Sequence, residues 1–200
     1  MTPFYKKMRQ HVDALIKECQ HDITDYIHDI ESASIEDIIN DLQSIISNSQ
    51  LTLYQDIIKT YQIDSRNFPS IDTFVYTADG CTLRQRIRRW INEYNKHRDK
   101  SLLIYRISLI TKHGHRYIDE DLNLYIVKRF KLYEYVTTAP GTYGESCEHC
   151  RDNHGTFAIQ KNFMLPPYHP DCDCIYWFHH APIASDEPED EDWMPEQEGA

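Results

Sequence analysis

The sequence predicts an α+β fold that is mostly α: a long N-terminal helical hairpin, a small α+β domain with a cysteine-rich loop, and an acidic C-terminal tail. Three observations support this fold class. Apolar residues recur every three or four positions from Met8 to Ile57, as on one face of a helix. Two short segments near the C-terminus have the residue types of strands. Four of the six cysteines lie in the stretch CEHCRDNHGTFAIQKNFMLPPYHPDCDC, which contains two adjacent prolines and therefore predicts a loop.

Residues 1–64 predict the helical hairpin. Two apolar stripes, each typical of a helix about 40 Å long, are separated by the short link Glu31–Ala33, and Ser34 begins a capping-box-like sequence for the second helix. The stripes consist of Met8, Val12, Leu15, Cys19, Ile23, Tyr26 and Ile30, and of Ile35, Ile38, Ile39, Leu42, Ile45, Ile46, Leu53 and Ile57. Such narrow stripes on long helices indicate either an arm that binds a partner or packing within the chain, and the sequence leaves both alternatives open.

Residues 65–82 predict a linker with one short strand around Phe74–Tyr76, since Pro69 and Gly80 break the helical period. The α+β domain is expected to occupy residues 83–182, and its first helix should begin near Leu83, where helical spacing resumes.

Two further helices are expected next. Ser101–His113 is apolar nearly all round, which predicts a buried helix that ends at Gly114 as its C-cap. Arg116–Arg129 predicts a separate helix. At its start, the acidic run Asp119–Asp121 is expected to be solvated and to favour the helix dipole. His113 and His115 are expected to be exposed or to cap the helix end.

The strands and the tail complete the prediction. Lys131–Val136 and the segment CIYWF, which begins at Cys174, predict strands because their residues alternate or are aromatic and β-branched. Residues 183–200 predict a disordered tail, since they contain eight acids and no base and so hold most of the formal charge of −11. No secretory or membrane segment is evident, so we expect no membrane contact and a reducing compartment.

The four clustered cysteines have three chemical interpretations. Under reducing conditions a metal site is favoured over two disulfides, which would become the better explanation for a particle outside the cell. A cysteine nucleophile is disfavoured because it requires one activated thiolate with a base, whereas these cysteines form two close pairs. Zinc with bonds of about 2.3 Å to sulfur places neighbouring sulfurs about 3.8 Å apart. We therefore expect a structural zinc site with ligands Cys147, Cys150 and Cys172, completed by Cys174 or, as the alternative, by His169.

His154 is a further candidate ligand, although a histidine in a polar loop is more often solvated. The segment between the cysteine pairs contains few large apolar residues, and Pro166-Pro167 excludes both helix and central strand. Such a loop cannot offset its ordering entropy by burial alone. A metal that closes the loop would supply the missing free energy, so the sequence predicts a structural role for the cysteines.

The cysteine block resembles the C-terminal signature of the phage Mu F-like minor head proteins, the head morphogenesis proteins of tailed bacteriophages. The resemblance rests on Cys-x-x-Cys, Gly155 and the sequence from Pro166 to Cys174, and more loosely on Arg106-Ile107-x-x-x-Thr111. It covers about Leu83 to Phe178. In this chain Asp173 stands where the family usually has Arg.

This resemblance implies a low-copy structural component of the virion head that is made in the host cytoplasm and joins the portal vertex during assembly. Its implied partners are the portal protein, the major capsid protein and, in some members, the phage DNA during packaging or ejection. We expect no enzymatic activity and no small-molecule substrate, because neither paired catalytic carboxylates nor a nucleophile with its base is evident.

A basic stretch supports a different function. TLRQRIRRWINEYNKHRDK contains seven bases, among them Arg84, Arg88, Arg89 and Lys96. A helix with this charge can contact nucleic-acid phosphates, so the alternative prediction is a zinc-ribbon nucleic-acid-binding module. A solvated helix face explains the same charge pattern, as does contact with an acidic protein surface or with this chain's own tail.

Overall fold

The computed structural model describes residues 3–62, 69–71, 81–141, 148–161, 163, 165–168 and 172–180. Its elements, in order, are α1 (Pro3–His28), a 3-10 turn (Ile30–Ser32), α2 (Ile35–Thr60), α3 (Leu83–His97), α4 (Lys100–Phe130), β1 (Tyr135–Ala139), α5 (Glu148–Arg151), β2 (Gly155–Ala158) and β3 (Ile175–His179). The predicted α+β, mostly α fold is confirmed. The strand predicted at Phe74–Tyr76 and the tail at 183–200 lie outside the described residues.

The helical hairpin forms as its apolar spacing predicts. The hydroxyl of Ser34 caps α2 by accepting a hydrogen bond from the backbone N–H of Asp37 at 3.2 Å. Residues near the end of α1 pack against residues near the start of α2, and Met8 and Val12 near the start of α1 pack with Ile57 near the end of α2. The two helices are therefore antiparallel.

The apolar stripes of the hairpin are covered by α3 and α4. Ile39 and Leu42 of α2 share one buried cluster with Ile91 of α3 and Ile107 of α4. A second cluster joins the opposite end of the hairpin to Ile118 and other residues of α4. Of the two alternatives for the stripes, the described residues show packing within the chain. The predicted boundary between 1–64 and 83–182 therefore separates segments that share two apolar clusters.

Helix α4 is a single helix of 31 residues, so the predicted helix end at Gly114 is wrong. Gly114 lies in the helix interior, where a Cβ would lie 2.7 Å from Nε2 of Gln50 in α2. The glycine thus allows α2 and α4 to pack closely at this position. Asp119 and Glu120, expected in a solvated first turn, lie inside this helix and are buried, and so are His113 and His115.

Three antiparallel strands form one sheet in the order β2-β1-β3. The strand predicted at Lys131–Val136 begins later, at Tyr135, and the strand predicted from Cys174 begins at Ile175. β2 was not predicted, since its four residues are too short to show alternation. A small apolar cluster joins the sheet to the end of α4 through Val127, Val136 and Phe178, among others. None of the helices in the described residues has the length and hydropathy needed to cross a lipid bilayer.

Candidate metal centre

Two short segments bring the cysteines together. The first is α5 with the turn that follows it, where the backbone N–H groups of Asn153 and His154 bond to Cys150 and Arg151 carbonyls at 3.1 Å each. This turn ends at Gly155, whose φ of 145° is strained for any residue with a Cβ. The second segment is 172–174, which leads directly into β3. Because β1 pairs with both β2 and β3, the sheet fixes the two segments beside each other.

Three sulfurs converge at this point. The Sγ atoms of Cys150, Cys172 and Cys174 all lie within 4.8 Å of one another, and the three residues are 1%, 2% and 5% exposed. Cys150 Sγ and Cys172 Sγ are 3.8 Å apart. This separation is nearly twice the length of a disulfide bond, about 2.05 Å, and it matches the edge of a tetrahedron around a metal with bonds of about 2.3 Å. The arrangement can hold a metal ion.

Cys172 and Cys174 can share a metal because they lie outside a strand. Alternate residues of an extended strand are separated by about 6.6 Å along the chain, too far for two ligands of one ion. The segment 172–174 precedes β3 and is not part of it. The chain there brings both side chains to the same cluster.

Of the three remaining candidate ligands, the structure describes only His154. Cys147 and His169 lie outside the described residues. His154, expected to be solvated, is half-buried, and its Nε2 lies 3.2 Å from Cys174 Sγ. It does not belong to the group of ligand atoms that lie within 4.8 Å of one another. Burial lowers the pKa of His154, which favours the neutral ring, and a neutral ring with its proton on Nε2 can donate a hydrogen bond to the sulfur.

The turn that carries His154 is held by two hydroxyl groups. The carbonyl oxygen of Asn153 accepts hydrogen bonds from Thr138 Oγ1 at 2.8 Å and from the Tyr168 hydroxyl at 3.0 Å. Thr138 belongs to β1, whereas Tyr168 follows the two adjacent prolines. Burial, the largest effect, raises the pKa of Tyr168, so it stays protonated and able to donate. The proline segment is thus tied to the cysteine cluster.

A side chain of α4 also contacts the cysteine segment. The guanidinium of Arg116 donates to the carbonyl oxygen of Cys172 and, at 3.0 Å, to the carboxylate of Asp173. Lys112 Nζ lies 3.4 Å from the same carboxylate. Burial alone would raise the pKa of Asp173, but the bond from Arg116 and the charge of Lys112 outweigh it and hold the pKa below its ordinary value. Asp173 is therefore the anionic partner of two bases.

Two acids of α4, Asp119 and Glu120, are buried. Burial raises the pKa of Asp119 to about 6, and the carboxylate accepts hydrogen bonds from the Tyr176 hydroxyl at 3.2 Å and from Asn123 Nδ2 at 2.8 Å. Burial, and then the charge of Asp119, raise the pKa of Glu120; the nearby Cys172 contributes in the same direction. The sequence did not predict the burial of either acid. The signal that could have located them is the all-round apolar character of the preceding residues, since a buried helix that continues also buries its acids.

The basic residues of α3 are partly used inside the chain. Arg84 Nη2 lies 2.7 Å and Arg88 Nη2 2.5 Å from the carboxylate of Glu36 in α2. Arg89 is 79% exposed and lies 3.6 Å from Glu93, one turn further along α3. Lys96 is exposed. Of the four candidate nucleic-acid contacts, two are thus turned towards α2 and two face solvent.

In comparisons with known proteins, no protein-family model, no curated protein and no solved structure matches the chain.

Proposed function

We propose that the chain is a non-enzymatic structural protein whose C-terminal part is fastened by a zinc ion. The observation that supports this most directly is the convergence of three buried cysteine sulfurs from two segments, with Cys150 and Cys172 3.8 Å apart. Zinc suits such a set because thiolates are its preferred ligands in closed structural sites. Cys147 would be the fourth ligand because it is one C-x-x-C spacing from Cys150, with His169 as the alternative.

We further propose that this protein is a minor head protein of a tailed bacteriophage, located in the virion and associated with the portal vertex. Support for this comes from the motif that resembles the phage Mu F-like family, from Cys147 to Cys174. The portal protein and the major capsid protein are the proposed partners. In this role the zinc site stabilises a surface module, and the module contributes contacts without catalysing a reaction.

The metal proposal is tested by measuring metal per chain in the purified protein by elemental analysis, together with thiol titration before and after chelation. We expect one zinc per chain, and we expect the thiols of the cluster to react only after the chelator has removed it. Cys81, which is exposed, provides an internal reference thiol that reacts in both states. Absence of bound metal, with thiols that appear only after addition of a reductant, would replace the zinc site by disulfides.

The assembly proposal needs a separate experiment. The full chain is mixed with portal particles and with procapsids that lack it, and the mixtures are sedimented. Co-sedimentation with portal-containing particles, at a low copy number per particle, is the expected result. A chain that remains in the supernatant with every particle type would contradict the proposed role in the head, while the metal measurement would still stand or fall independently.

The nucleic-acid alternative has narrower support. It relies on the exposure of Arg89 and Lys96, whereas Arg84 and Arg88 are paired with Glu36. If this function holds, DNA retention should decrease with salt and should be lost in the double variant Arg89→Glu, Lys96→Glu. Retention that is unaffected by these two substitutions would remove the alternative.

A further inference from the structure

Arg116 joins three parts of the chain that are far apart in sequence. Its Nη1 donates to the Cys172 carbonyl and to the Asp173 carboxylate, and its Nη2 lies 3.5 Å from the carboxylate of Asp13 in α1. The guanidinium side chain is only 7% exposed, whereas the side chains of Asp13 and Asp173 are 42% and 41% exposed. A buried cation is therefore aimed at the backbone of a predicted metal ligand, from a helix that contributes no ligand itself.

The first consequence concerns geometry. Cys172 and Cys174 can bind one ion only if the chain between them departs from an extended strand. Arg116 holds the carbonyl of the first of these cysteines and the side chain of the residue between them. Both donations come from Nη1, whose two N–H groups point in fixed directions within the planar guanidinium, so together they fix the position and the orientation of the segment. The contacts therefore hold the local conformation in which both sulfurs reach the cluster.

The second consequence concerns charge. A zinc ion bound by three thiolates carries a net negative charge, and a fourth thiolate would increase it. Burying such a charge is costly unless a compensating charge is close. Arg116 supplies a cation beside Cys172, and its own carboxylate partners are half-exposed, so solvent screens them more than it screens the guanidinium.

We propose that Arg116 is a positioning residue of the metal centre: it preorganises the Cys172–Cys174 segment and compensates the thiolate charge, and so increases the zinc affinity of the chain. This inference rests on the proposed zinc function. Residues that orient metal ligands without touching the metal typically contribute a factor of about 10 to 100 in metal affinity.

The test compares the zinc Kd of the full-length wild-type chain with those of Arg116→Met and Arg116→Lys, each by competition with a chromophoric chelator. We expect Kd to rise about 10- to 100-fold in Arg116→Met. Arg116→Lys keeps the charge and loses the planar donor geometry of the guanidinium, so its Kd should lie between those of the wild type and Arg116→Met. Cobalt substitution adds a spectroscopic signature: the visible absorption of the Arg116→Met complex should shift, because the ligand geometry relaxes.

Lys112→Met is the matched control. Lys112 is in the same helix and contacts the same Asp173 carboxylate, but the Cys172 carbonyl is held by Arg116. Its zinc Kd and cobalt spectrum should remain those of the wild type. An equal loss of affinity in both variants would assign the effect to the charge around Asp173 and would contradict the positioning role.

The outcomes separate this inference from the zinc proposal. A wild-type chain that binds no zinc refutes the zinc site, and with it the role of Arg116. A wild-type chain that binds zinc, together with a folded Arg116→Met variant of unchanged Kd and unchanged cobalt spectrum, refutes the inference alone. If Arg116→Met does not fold, judged by circular dichroism of the metal-free protein, Arg116→Lys decides: a raised Kd supports the inference and a wild-type Kd overturns it.

Discussion

The helical bundle, α1 to α4, and the cysteine module, β1 to β3 with α5 and the segment 172–174, bury different kinds of side chain. The bundle contains two aliphatic clusters, in which side chains such as Ile39, Leu42 and Ile118 are completely buried. The module has one small apolar cluster around Val136 and Phe178 and a separate cluster of three sulfurs. Burial of apolar area can stabilise the first region by itself, whereas in the proposed function the second depends also on a bound zinc ion.

If the proposed zinc ion is bound, the stability of the bundle comes from apolar burial and that of the module largely from the metal. The bundle should respond to changes in side-chain volume and hardly to chelators. The cysteine module should respond to chelators and to the loss of a single sulfur. Three substitutions test the comparison, beginning with the one of largest expected effect.

Cys172→Ser should abolish metal binding and unfold the cysteine module while the bundle stays helical. Structural zinc sites contribute roughly 10 kcal/mol or more to the folding of small domains, and Cys172 is one of the three converging cysteines and is 2% exposed. Hydrogen exchange measures this: amides of β1 should lose protection, whereas those of α2 should keep it.

The control is Cys81→Ser, which changes an exposed cysteine outside the cluster and should leave both exchange patterns unchanged. If Cys172→Ser keeps its β1 protection, the two regions do not differ in the way described, and the sulfur cluster is not what stabilises the module.

Leu42→Ala should destabilise the bundle by about 2 to 5 kcal/mol, because it removes a completely buried side chain and leaves a cavity. Urea denaturation of the zinc-saturated protein measures the free energy of unfolding. Leu51→Ala, on the same helix but 39% exposed, is the matched control and should cost much less. Similar losses in the two variants would show that the core of the bundle does not depend on this packing.

Asp119→Asn should stabilise the protein at pH 8 by about 3 kcal/mol and have little effect near pH 4. Burial raises the pKa of Asp119 from 3.8 to about 6, so between these values the native state binds one proton more than the unfolded state. Stability from this group is therefore greatest at low pH and is lost as pH rises through the pKa of the native state. Asn can still accept from Asn123 and can donate to the Tyr176 hydroxyl.

Thermal unfolding of both proteins across pH 4 to 8 measures this effect as a difference. Burial lowers the pKa of His115 to about 4, which gives a pH dependence of opposite sign, but His115 is present in both proteins and cancels in the comparison. A difference in stability that does not change with pH would mean that Asp119 is not protonated preferentially in the native state.

Local patterns predicted α1, α2 and α3 because each of these helices buries one continuous stripe, which leaves a period in the sequence. The same logic failed at Gly114, where a glycine permits the approach of Gln50 and does not end the helix. The prediction that Asp119 and Glu120 are solvated was wrong for the same reason. A run of acids shortly after a predicted helix end resembles the exposed first turn of a new helix. Contacts with residues distant in sequence decide these cases, Gln50 for Gly114 and Tyr176 for Asp119, and such contacts leave no local signal.

In the candidate site, the sequence predicted that Cys150 and Cys172 would converge and left Cys174 and His169 as alternatives for a further ligand; the structure brings Cys174 to the same cluster. The sequence could not predict what surrounds these cysteines. The contacts of Arg116 with Cys172 and Asp173 join residues more than 50 positions apart in sequence. Asp173 shows the limit clearly, because its sequence position gives no indication that two bases of α4 face it.

The continuity of α4 has a mechanical consequence. Its 31 residues form a rod about 46 Å long, which begins among the aliphatic side chains of the bundle and ends against Val136 and Phe178 of the sheet. Because one continuous hydrogen-bonded helix connects the bundle to the sheet, a force or torque applied to one end of α4 is transmitted to the other end. A force on the sheet is thus transmitted through α4 to the helices packed against it.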